Sequence, residues 1–263
     1  MTKKRDRLDN LLVDRGLVET RARGRLLIMA GEVRVDGEKA IKPGRIVSIE
    51  ADIELIAPMP YVSRGGLKLR AALTAFLIKI EGRICADVGA CTGGFTDVLL
   101  QDGARTVYAI DVGYGQLDWK LRQDSRVRVM ERTNARYQLT MPEQIDVLTI
   151  DVSFISLKII LETTLNWLAQ GADVVALIKP QFEAGRAQVG KGGVVRDREV
   201  HSDVLKEILN WTMTHGYSVM GLIRSPIDGA KGNLEFLVWL QIGGTTVLDC
   251  SVLIASVLEP RKV

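Results

Sequence analysis

The chain of 263 residues has few cysteines and no long apolar run, and these two absences exclude several classes of protein. Its three cysteines, Cys85, Cys91 and Cys250, have no paired spacing, so neither a disulfide framework nor a zinc knuckle is predicted. No apolar stretch approaches the roughly 18–20 residues that a membrane-spanning helix needs. The first residues are charged and no apolar segment follows them, so we expect no signal peptide and a cytoplasmic location.

What the chain does contain is the composition of a globular protein, with 47% hydrophobic and 25% charged residues. Its length suits one large domain, or a large domain with a small one. The net charge of +3 is unevenly distributed: residues 1–48 carry 12 Lys/Arg against 7 Asp/Glu, which leaves 23 against 25 in the remaining chain. A basic N-terminal segment on a near-neutral body favours binding to nucleic acid.

The basic N-terminal segment has the pattern of a small α+β domain. Leucines recur at helical spacing over residues 8–12, and Thr20 can cap a second helix that Gly31 ends. Short alternating apolar segments with Asp-Gly and Pro-Gly turns follow, which predicts hairpin strands. The residues that we expect the second helix to bury are Leu26, Leu27 and Met29 or their neighbours.

Two prolines, Pro58 and Pro60, interrupt the chain after this segment, and neither a helix nor a central strand runs through them. We therefore predict a small domain over residues 1–56, a linker over 57–62 and a large domain over 63–263.

In the large domain, apolar segments typical of strands alternate with helical ones, which predicts a doubly wound α/β sheet. The predicted strands lie near residues 83–88, 106–111, 127–131, 146–151, 173–179, 217–224 and 234–241. The predicted helices lie near residues 68–76, 95–102, 115–123, 155–169 and 197–215. We also expect Trp119, Trp211 and Trp239 in the core and His201 and His215 on the surface.

The most informative segment is D-V-G-A-C-T-G-G-F-T, over residues 87–96, between a predicted strand and a predicted helix. A strand, a glycine-rich turn and a helix bring backbone N–H groups close to a ligand. The segment lacks the dinucleotide pattern G-x-G-x-x-G, and Phe95 stands where a P-loop needs lysine, which disfavours a phosphate chain. Asp111, 22 residues after Gly89, is placed to accept hydrogen bonds from ribose hydroxyls. These features favour S-adenosylmethionine, with a glycine turn that binds no ligand as the alternative.

Four charged residues are predicted to meet at one edge of the sheet. Asp151 and Lys179 end strands, Lys68 lies in the preceding helix, and Glu235 reaches the same edge if the last strand runs antiparallel. Buried charges are costly unless they are paired, so these side chains should lie close together. A lysine in such a group can take a proton from a hydroxyl when burial and a second cation favour the neutral amine. The alternative is a set of ordinary ion pairs.

A glycine-rich basic loop over residues 183–198 follows Lys179 closely in the chain. It could close over RNA at the catalytic edge, and the alternative is a mobile surface loop. The residues outside the N-terminal domain for which we predict RNA contacts are Arg64, Arg186 and Lys191.

The N-terminal pattern is R-L-D-x-L-L-V-D-x-G-L, then T-R-x-x-G-x-x-L-I-x-A-G-x-V-x-V-D-G. It resembles the RNA-binding module shared by ribosomal small-subunit protein four, many pseudouridine synthases and tyrosyl-tRNA synthetases, over residues 5–50. Gly24 stands where members of that family commonly have alanine. The resemblance implies that five arginines face RNA phosphates: Arg5, Arg7, Arg21, Arg23 and Arg25.

The rest of the chain contains Y-V-S-R-G-G-x-K-L, D-V-G-A-C-T-G-G-F-T-D, D-V-S-F-I-S-L, K-P-Q-F-E-A-G-R, V-G-K-G-G-V-V-R-D and S-P-I-x-G-x-x-G-N-x-E-F-L. With the N-terminal module, this set resembles the TlyA family of ribosomal RNA methyltransferases, whose catalytic domain is similar to FtsJ-type ribose methyltransferases. The resemblance implies a Rossmann-like seven-stranded sheet and methyl transfer from S-adenosylmethionine to a ribose 2′-hydroxyl of ribosomal RNA, without a metal.

The resemblance also implies site residues. The implied catalytic residues are Lys68, Asp151, Lys179 and Glu235. The implied cofactor-binding residues are Asp87, Gly89, Ala90, Cys91, Thr92, Gly93, Gly94, Phe95, Thr96, Asp111 and Asn134. Cys91 is a departure, because the family usually has serine there. Since the family has also been described as haemolysins, a membrane-active protein is one alternative, and an RNA-binding assembly factor with a silent catalytic domain is another.

Overall fold

The computed structural model describes residues 4–56, 59–245 and 249–259. The chain divides into two compact units, Met1–Pro60 and Tyr61–Val263. The predicted linker over residues 57–62 includes 57 and 58, which lie outside the described residues.

The first unit is a small α+β domain, as predicted. Its elements are β1 (Arg5–Arg7), α1 (Leu8–Asp14), α2 (Arg21–Ala30), β2 (Val33–Val35), β3 (Glu38–Ala40), β4 (Ile46–Ser48) and β5 (Ile53–Leu55). Strand β1 pairs with β4, and β2 pairs with both β3 and β5, all antiparallel. The Thr20 side chain caps α2 by accepting a hydrogen bond from the Arg23 N–H, and Gly31, with φ of +70°, ends the helix.

The packing of α2 agrees with the prediction only for a neighbour of the named residues, Ile28. The helix buries Gly24 and Ile28, whereas Leu26 and Met29 are exposed and Leu27 is half-buried. A Cβ added at Gly24 would lie only 3.3 Å from a Leu12 methyl group, so glycine allows α1 and α2 to approach closely. Residues four apart share a helix face, and Gly24 and Ile28 occupy the face towards α1.

The second unit is an α/β domain whose elements follow the predicted alternation. Its strands are β6 (Ile84–Val88), β7 (Thr106–Ile110), β8 (Val127–Met130), β9 (Ile145–Ile150), β10 (Leu168–Ile178), β11 (Tyr217–Arg224) and β12 (Phe236–Ile242). Its helices are α3 (Gly65–Phe76), α4 (Gly94–Gln101), α5 (Trp119–Arg122), α6 (Leu157–Thr164), α7 (Pro180–Glu183), α8 (Arg198–Thr214) and α9 (Cys250–Leu258). Helices α5 and α6 are shorter than predicted, and β10 begins five residues earlier.

Among the described residues these seven strands form one sheet in the order β11-β12-β10-β9-β6-β7-β8. The strands from β10 to β8 pair in parallel, and β12 runs antiparallel to both of its neighbours. The fold is therefore the Rossmann-like sheet that the sequence predicts. Because β12 runs antiparallel, its first residues lie at the edge where the parallel strands end.

Apolar side chains from the helices cover both faces of this sheet. Two predictions about its core were wrong: Trp119 is 74% exposed, and His201 is only 2% exposed. At the short helix α5 the core position is filled by Leu121 instead. His201 lies on the face of α8 that packs against the sheet, with its ring edge-on to Phe236 at 6.0 Å.

Candidate active site

The glycine-rich turn joins β6 to α4 at the carboxyl edge of the sheet. Gly89 has φ of +85°, and an added Cβ would collide with the carbonyl group of Asp151. Gly93 has φ of +95° and directly precedes α4. A Cβ added at Gly93 would collide with the Leu121 side chain. Both positions require glycine because of backbone conformation and close approach together.

Asp87 is fully buried below this turn and stabilises it through hydrogen bonds. Its Oδ2 accepts hydrogen bonds from the Thr96 N–H (2.9 Å) and hydroxyl (2.7 Å), and its Oδ1 accepts one from the Thr149 hydroxyl at 3.1 Å. Burial raises the pKa of the Asp87 carboxyl from 3.8 to about 6, and the hydrogen bonds from Thr96 and Thr149 oppose this shift. Asp87, Gly93 and Thr96 line neither of the two cavities at this edge of the sheet, and the contacts described here shape the turn.

We expect ionisation of Asp87 to weaken the fold as the pH rises. The folded-state pKa of about 6 lies above the ordinary 3.8, so the stabilisation that protonation gives is complete below about pH 4 and is lost as the pH passes 6. In the Asp87→Asn variant this dependence is absent. The free energy of unfolding of the variant, relative to the wild type, should therefore rise by about 2–3 kcal/mol between pH 4 and pH 7. Urea titrations at the two pH values measure this difference, and a constant difference would contradict it.

A cavity of about 580 Å³ lies beside the turn, at the carboxyl ends of β6, β7 and β9. This volume is in the range of small-molecule sites. Its polar lining includes Asp111 and Asn134, and its apolar lining is Val88, Ile110, Val112, Ala135, Val152, Phe154, Ile155 and Ile160. The combination of an apolar wall and a few polar groups suits a nucleoside.

Asp111 organises one wall of this cavity. Its Oδ2 accepts a hydrogen bond from the Cys91 N–H at 2.8 Å, and its Oδ1 accepts one from the Gly113 N–H at 2.7 Å. Cys91 has φ of +50°, and its thiol lies 3.4 Å from Oε1 of Gln116. Each carboxylate oxygen can accept more than one hydrogen bond, so Asp111 has capacity left for a ligand.

A second cavity of about 370 Å³ adjoins the first, since both are lined by Gly89, Cys91 and Asp151. Lys68 and Arg64 also line it. The remaining lining residues are Ser63, Gly65, Ala90, Thr92, Gly94, Phe95, Ile227, Asp228, Gly229, Ala230 and Lys231.

Two lysine–carboxylate pairs lie at this second cavity. Lys179 Nζ is 2.6 Å from Asp151 Oδ1 and donates a hydrogen bond to the Ser153 hydroxyl at 2.9 Å. Lys68 Nζ is 2.5 Å from Glu235 Oε2, and both of these side chains are buried. The antiparallel register pairs Ile178 with Phe236, which brings the residues that flank them, Lys179 and Glu235, to the same edge.

Sequence reasoning did not single out two supporting residues of this site. Ser153 accepts a hydrogen bond from Lys179. The one feature of the sequence that could have pointed to Ser153 is its place in the D-V-S-F-I-S-L segment. Gly229 packs so closely on Glu235 that an added Cβ would collide with the carboxylate. The first contact joins residues 26 positions apart in the chain, and the second depends on the conformation of the turn before β12, so residue spacing reveals neither.

The predicted RNA-contacting residues fall on both units. Arg5, Arg21, Arg23 and Arg25 are exposed. Arg7 and Arg21 each donate from Nε to the buried carboxylate of Asp9, at 2.9 Å and 3.0 Å. The hydrogen bond from Arg7, aided by Arg21 and opposed by burial, lowers the pKa of Asp9 to about 2. In the second unit, Arg64, Arg186 and Lys191 are exposed.

Comparison with known proteins decides the family. A family model for FtsJ-like methyltransferases matches residues 61–242, and one for the S4 domain matches residues 6–53. The protein YqxC of Bacillus subtilis is 52% identical over 93% of this chain and 88% of its own length. The 16S/23S rRNA (cytidine-2′-O)-methyltransferase TlyA of Mycobacterium tuberculosis is 46% identical over 90% of each chain. The chain belongs to the TlyA family.

A solved structure agrees with this family assignment. A Streptococcus thermophilus protein of known structure is 45% identical in sequence to this chain. The two structures superpose with a TM-score of 0.75, and the match covers 98% of this chain and 95% of the other. The protein is thus a TlyA-family methyltransferase with an S4 domain, the module type that the N-terminal pattern predicted.

The described residues add two negative findings. None of their helices is both long enough and apolar enough to cross a membrane. Nor do they contain a group of three or more His, Cys, Asp or Glu side chains that could hold a metal ion.

Proposed function

We propose that this protein transfers a methyl group from S-adenosylmethionine to a ribose 2′-hydroxyl of ribosomal RNA. The observation that carries the proposal is the meeting of two cavities at Gly89, Cys91 and Asp151. One cavity suits a nucleoside, and the other is lined by one member of each lysine–carboxylate pair, Lys68 and Asp151. Membership of the TlyA family supports the reaction, as does the rRNA (cytidine-2′-O)-methyltransferase activity that names the Mycobacterium tuberculosis relative.

The residues of the 580 Å³ cavity fit the adenosyl part of this cofactor. Asp111 can accept hydrogen bonds from the ribose hydroxyls, and Ile155 and Ile160 offer an apolar surface to the adenine ring. Gly89 leaves room where any side chain would collide with the chain. When bound, S-adenosylmethionine would supply a methyl group on a cationic sulfur, already activated towards a nucleophile.

Lys179 is the base in this proposal. Its Nζ takes the proton of the 2′-hydroxyl, and Asp151, 2.6 Å away, stabilises the ammonium group that results. The amine must be neutral before it can accept this proton. Ser153 fixes the direction of Nζ by accepting its hydrogen bond.

Lys68 and Glu235 orient the target nucleotide in this proposal. Their buried pair is anchored on α3 and at the start of β12, so it presents a rigid polar group to the second cavity. Because the methyl group needs no further activation, placing the hydroxyl in line accounts for much of the rate.

The RNA is bound by both units in this proposal. Residues 1–56 hold it through the arginines of the S4 domain, residues 57–62 act as the linker, and residues 63–263 carry out methyl transfer. Phosphate contacts by arginine position the RNA without reading its sequence. A target nucleotide in folded RNA would turn out of its stack to reach the cavity. A ribosomal RNA substrate places the reaction in the cytoplasm.

Replacing Asp111 should weaken cofactor binding. The Asp111→Ala variant loses the acceptor for two ribose hydroxyls and for the Cys91 and Gly113 N–H groups, so we expect the Kd for S-adenosylmethionine to rise by about 10- to 100-fold. Isothermal titration calorimetry measures this. The control is Asp203→Ala, which removes an exposed carboxylate on α8. Equal affinities of the Asp111 variant and the wild type would contradict the assignment.

Mass mapping of ribosomal RNA tests the function itself. We expect a strain that lacks this gene to lose at least one ribose methylation, and the wild-type gene to restore it. A Lys179→Ala gene should not restore it. If no ribose methylation is lost, and the pure protein also fails to bind S-adenosylmethionine, the chain is an RNA-binding factor without catalysis.

A further inference from the structure

Asn233 joins two loops at the catalytic edge, and the mechanism above gives it no part. It lies two residues before Glu235 and is only 3% exposed. Its Oδ1 accepts a hydrogen bond from the Val195 N–H at 3.1 Å. Its Nδ2 donates to the carbonyl groups of Gly193 (2.9 Å) and Ala230 (3.1 Å). One carboxamide therefore bonds to a distant loop on one side and to its own turn on the other.

The distant loop, residues 185–195, is here named the glycine loop. Gly192 and Gly193 have φ of +84° and +80°, and Gly190 forms an isolated β-bridge with Val194. Gly190 and Gly193 line an open cavity of about 630 Å³ together with Phe154 and Phe182, whose ring centroids lie 4.9 Å apart with their planes tilted by 49°. Arg186 lines the same cavity, so this surface combines a cation with aromatic rings.

The other loop, residues 228–233, is here named the Gly229 turn. Four of its residues, from Asp228 to Lys231, line the second cavity, and Gly229 packs against the Glu235 carboxylate. Lys231 also reaches the glycine loop by donating to the Gly192 carbonyl at 2.9 Å, but this bond is exposed to solvent. Water can replace an exposed hydrogen bond at a small cost in free energy. The hydrogen bond from the Val195 N–H to Asn233 is buried, so water cannot replace it in the same way.

We propose that Asn233 is a positioning residue that holds the glycine loop and the Gly229 turn together as one RNA-facing wall of the active site. The inference rests on the proposed function, since it assigns the wall to the RNA substrate. Without the carboxamide, the Val195 N–H and the Gly193 carbonyl lose their partner, and the glycines allow the loop many other conformations. No residue of either loop lines the 580 Å³ cavity, so we expect the affinity for S-adenosylmethionine to be independent of Asn233.

The test compares Asn233→Ala, Asn233→Asp and the control Asn210→Ala, an exposed position on α8. Five quantities are measured: hydrogen exchange at the Val195 amide, the melting temperature, the Kd for S-adenosylmethionine, and KM and kcat for methyl transfer to ribosomal subunits from a strain lacking the gene. Subunit binding is also followed by co-sedimentation, which does not depend on turnover.

For Asn233→Ala we expect at least about tenfold faster exchange at Val195 and an unchanged Kd for the cofactor, within about twofold. KM for the subunits should rise at least about fivefold, with a smaller change in kcat. Asn233→Asp keeps the acceptor for Val195 but cannot donate to Gly193 as a carboxylate. It should therefore protect the Val195 amide and still raise KM. Asn210→Ala should match the wild type.

Two results would overturn the inference. One is a KM and a sedimentation affinity that stay at wild-type values while the Val195 amide exchanges rapidly, because the loop would then not face RNA. The other is a parallel loss of cofactor affinity and thermal stability, which would assign Asn233 to the fold alone. Failure of the proposed function is distinct: the wild type itself would then transfer no methyl group.

Discussion

Lys179→Ala should abolish methyl transfer while S-adenosylmethionine still binds. General-base catalysis contributes about 10²–10⁴ in rate, so we expect a loss of about 10³-fold in kcat. Lys179 does not line the 580 Å³ cavity that we propose for the cofactor. Its Nζ is directed to Asp151 and Ser153. Asp151 is left without its cation in the variant, but its side chain is 21% exposed and removal of the lysine side chain opens space beside Oδ1.

Single-turnover transfer of a tritiated methyl group to ribosomal subunits measures the effect, with calorimetry for the cofactor. The matched control is Lys158→Ala, because Lys158 also pairs with a carboxylate, that of Glu207, away from both cavities. A Lys179 variant that transfers at the wild-type rate would show that the proton leaves by another group. A variant that loses cofactor affinity as well would assign Lys179 to binding.

Glu235→Ala should destabilise the second unit more than any other single change proposed for the site. It leaves the Lys68 ammonium group without its partner at 2.5 Å, in a place where its side chain is only 11% exposed. Removing one partner of a buried ion pair lowers the free energy of unfolding by about 3–5 kcal/mol, because the other charge remains buried without compensation. For a domain of this size that cost lowers Tm by roughly 6–20 °C.

The double variant Lys68→Met, Glu235→Gln removes the charge together with its partner. We expect it to recover most of the stability but none of the transfer activity. Calorimetric melting of the wild type and the two variants checks the first part, and the tritium assay checks the second. Glu207→Ala, at the partly exposed Lys158 pair, should cost less than about 1 kcal/mol. Equal melting temperatures for Glu235→Ala and Glu207→Ala would contradict the burial argument.

Sequence patterns were most informative where a requirement is local. Thr20 and Gly31 cap α2 as predicted, because a hydroxyl before a helix and a left-handed glycine after it act within a few residues. The alternation of apolar segments predicted the seven-stranded sheet, since each buried strand must be apolar whatever its neighbours are.

Predictions failed where the orientation of a side chain depends on packing partners far away in the chain. Helical spacing did not reveal that α2 faces α1 through Gly24 and Ile28, so the exposure of Leu26 and Met29 was missed. His201 is polar and was predicted at the surface, but the register of α8 against the sheet places it beside Phe236. A one-residue rotation of a helix is enough to exchange buried and exposed positions.

For the site, the sequence by itself determined which residues stand at the ends of strands and where glycine interrupts them. It therefore determined the family, the α/β fold with its small basic domain, and the four charged candidates. Only the tertiary structure decided how these charges pair, Lys179 with Asp151 and Lys68 with Glu235. It also decided that Asp87 lies buried under the glycine turn. The physical reason is that strand ends follow from local apolar patterning, whereas pairing and burial depend on strand order and on the antiparallel direction of β12.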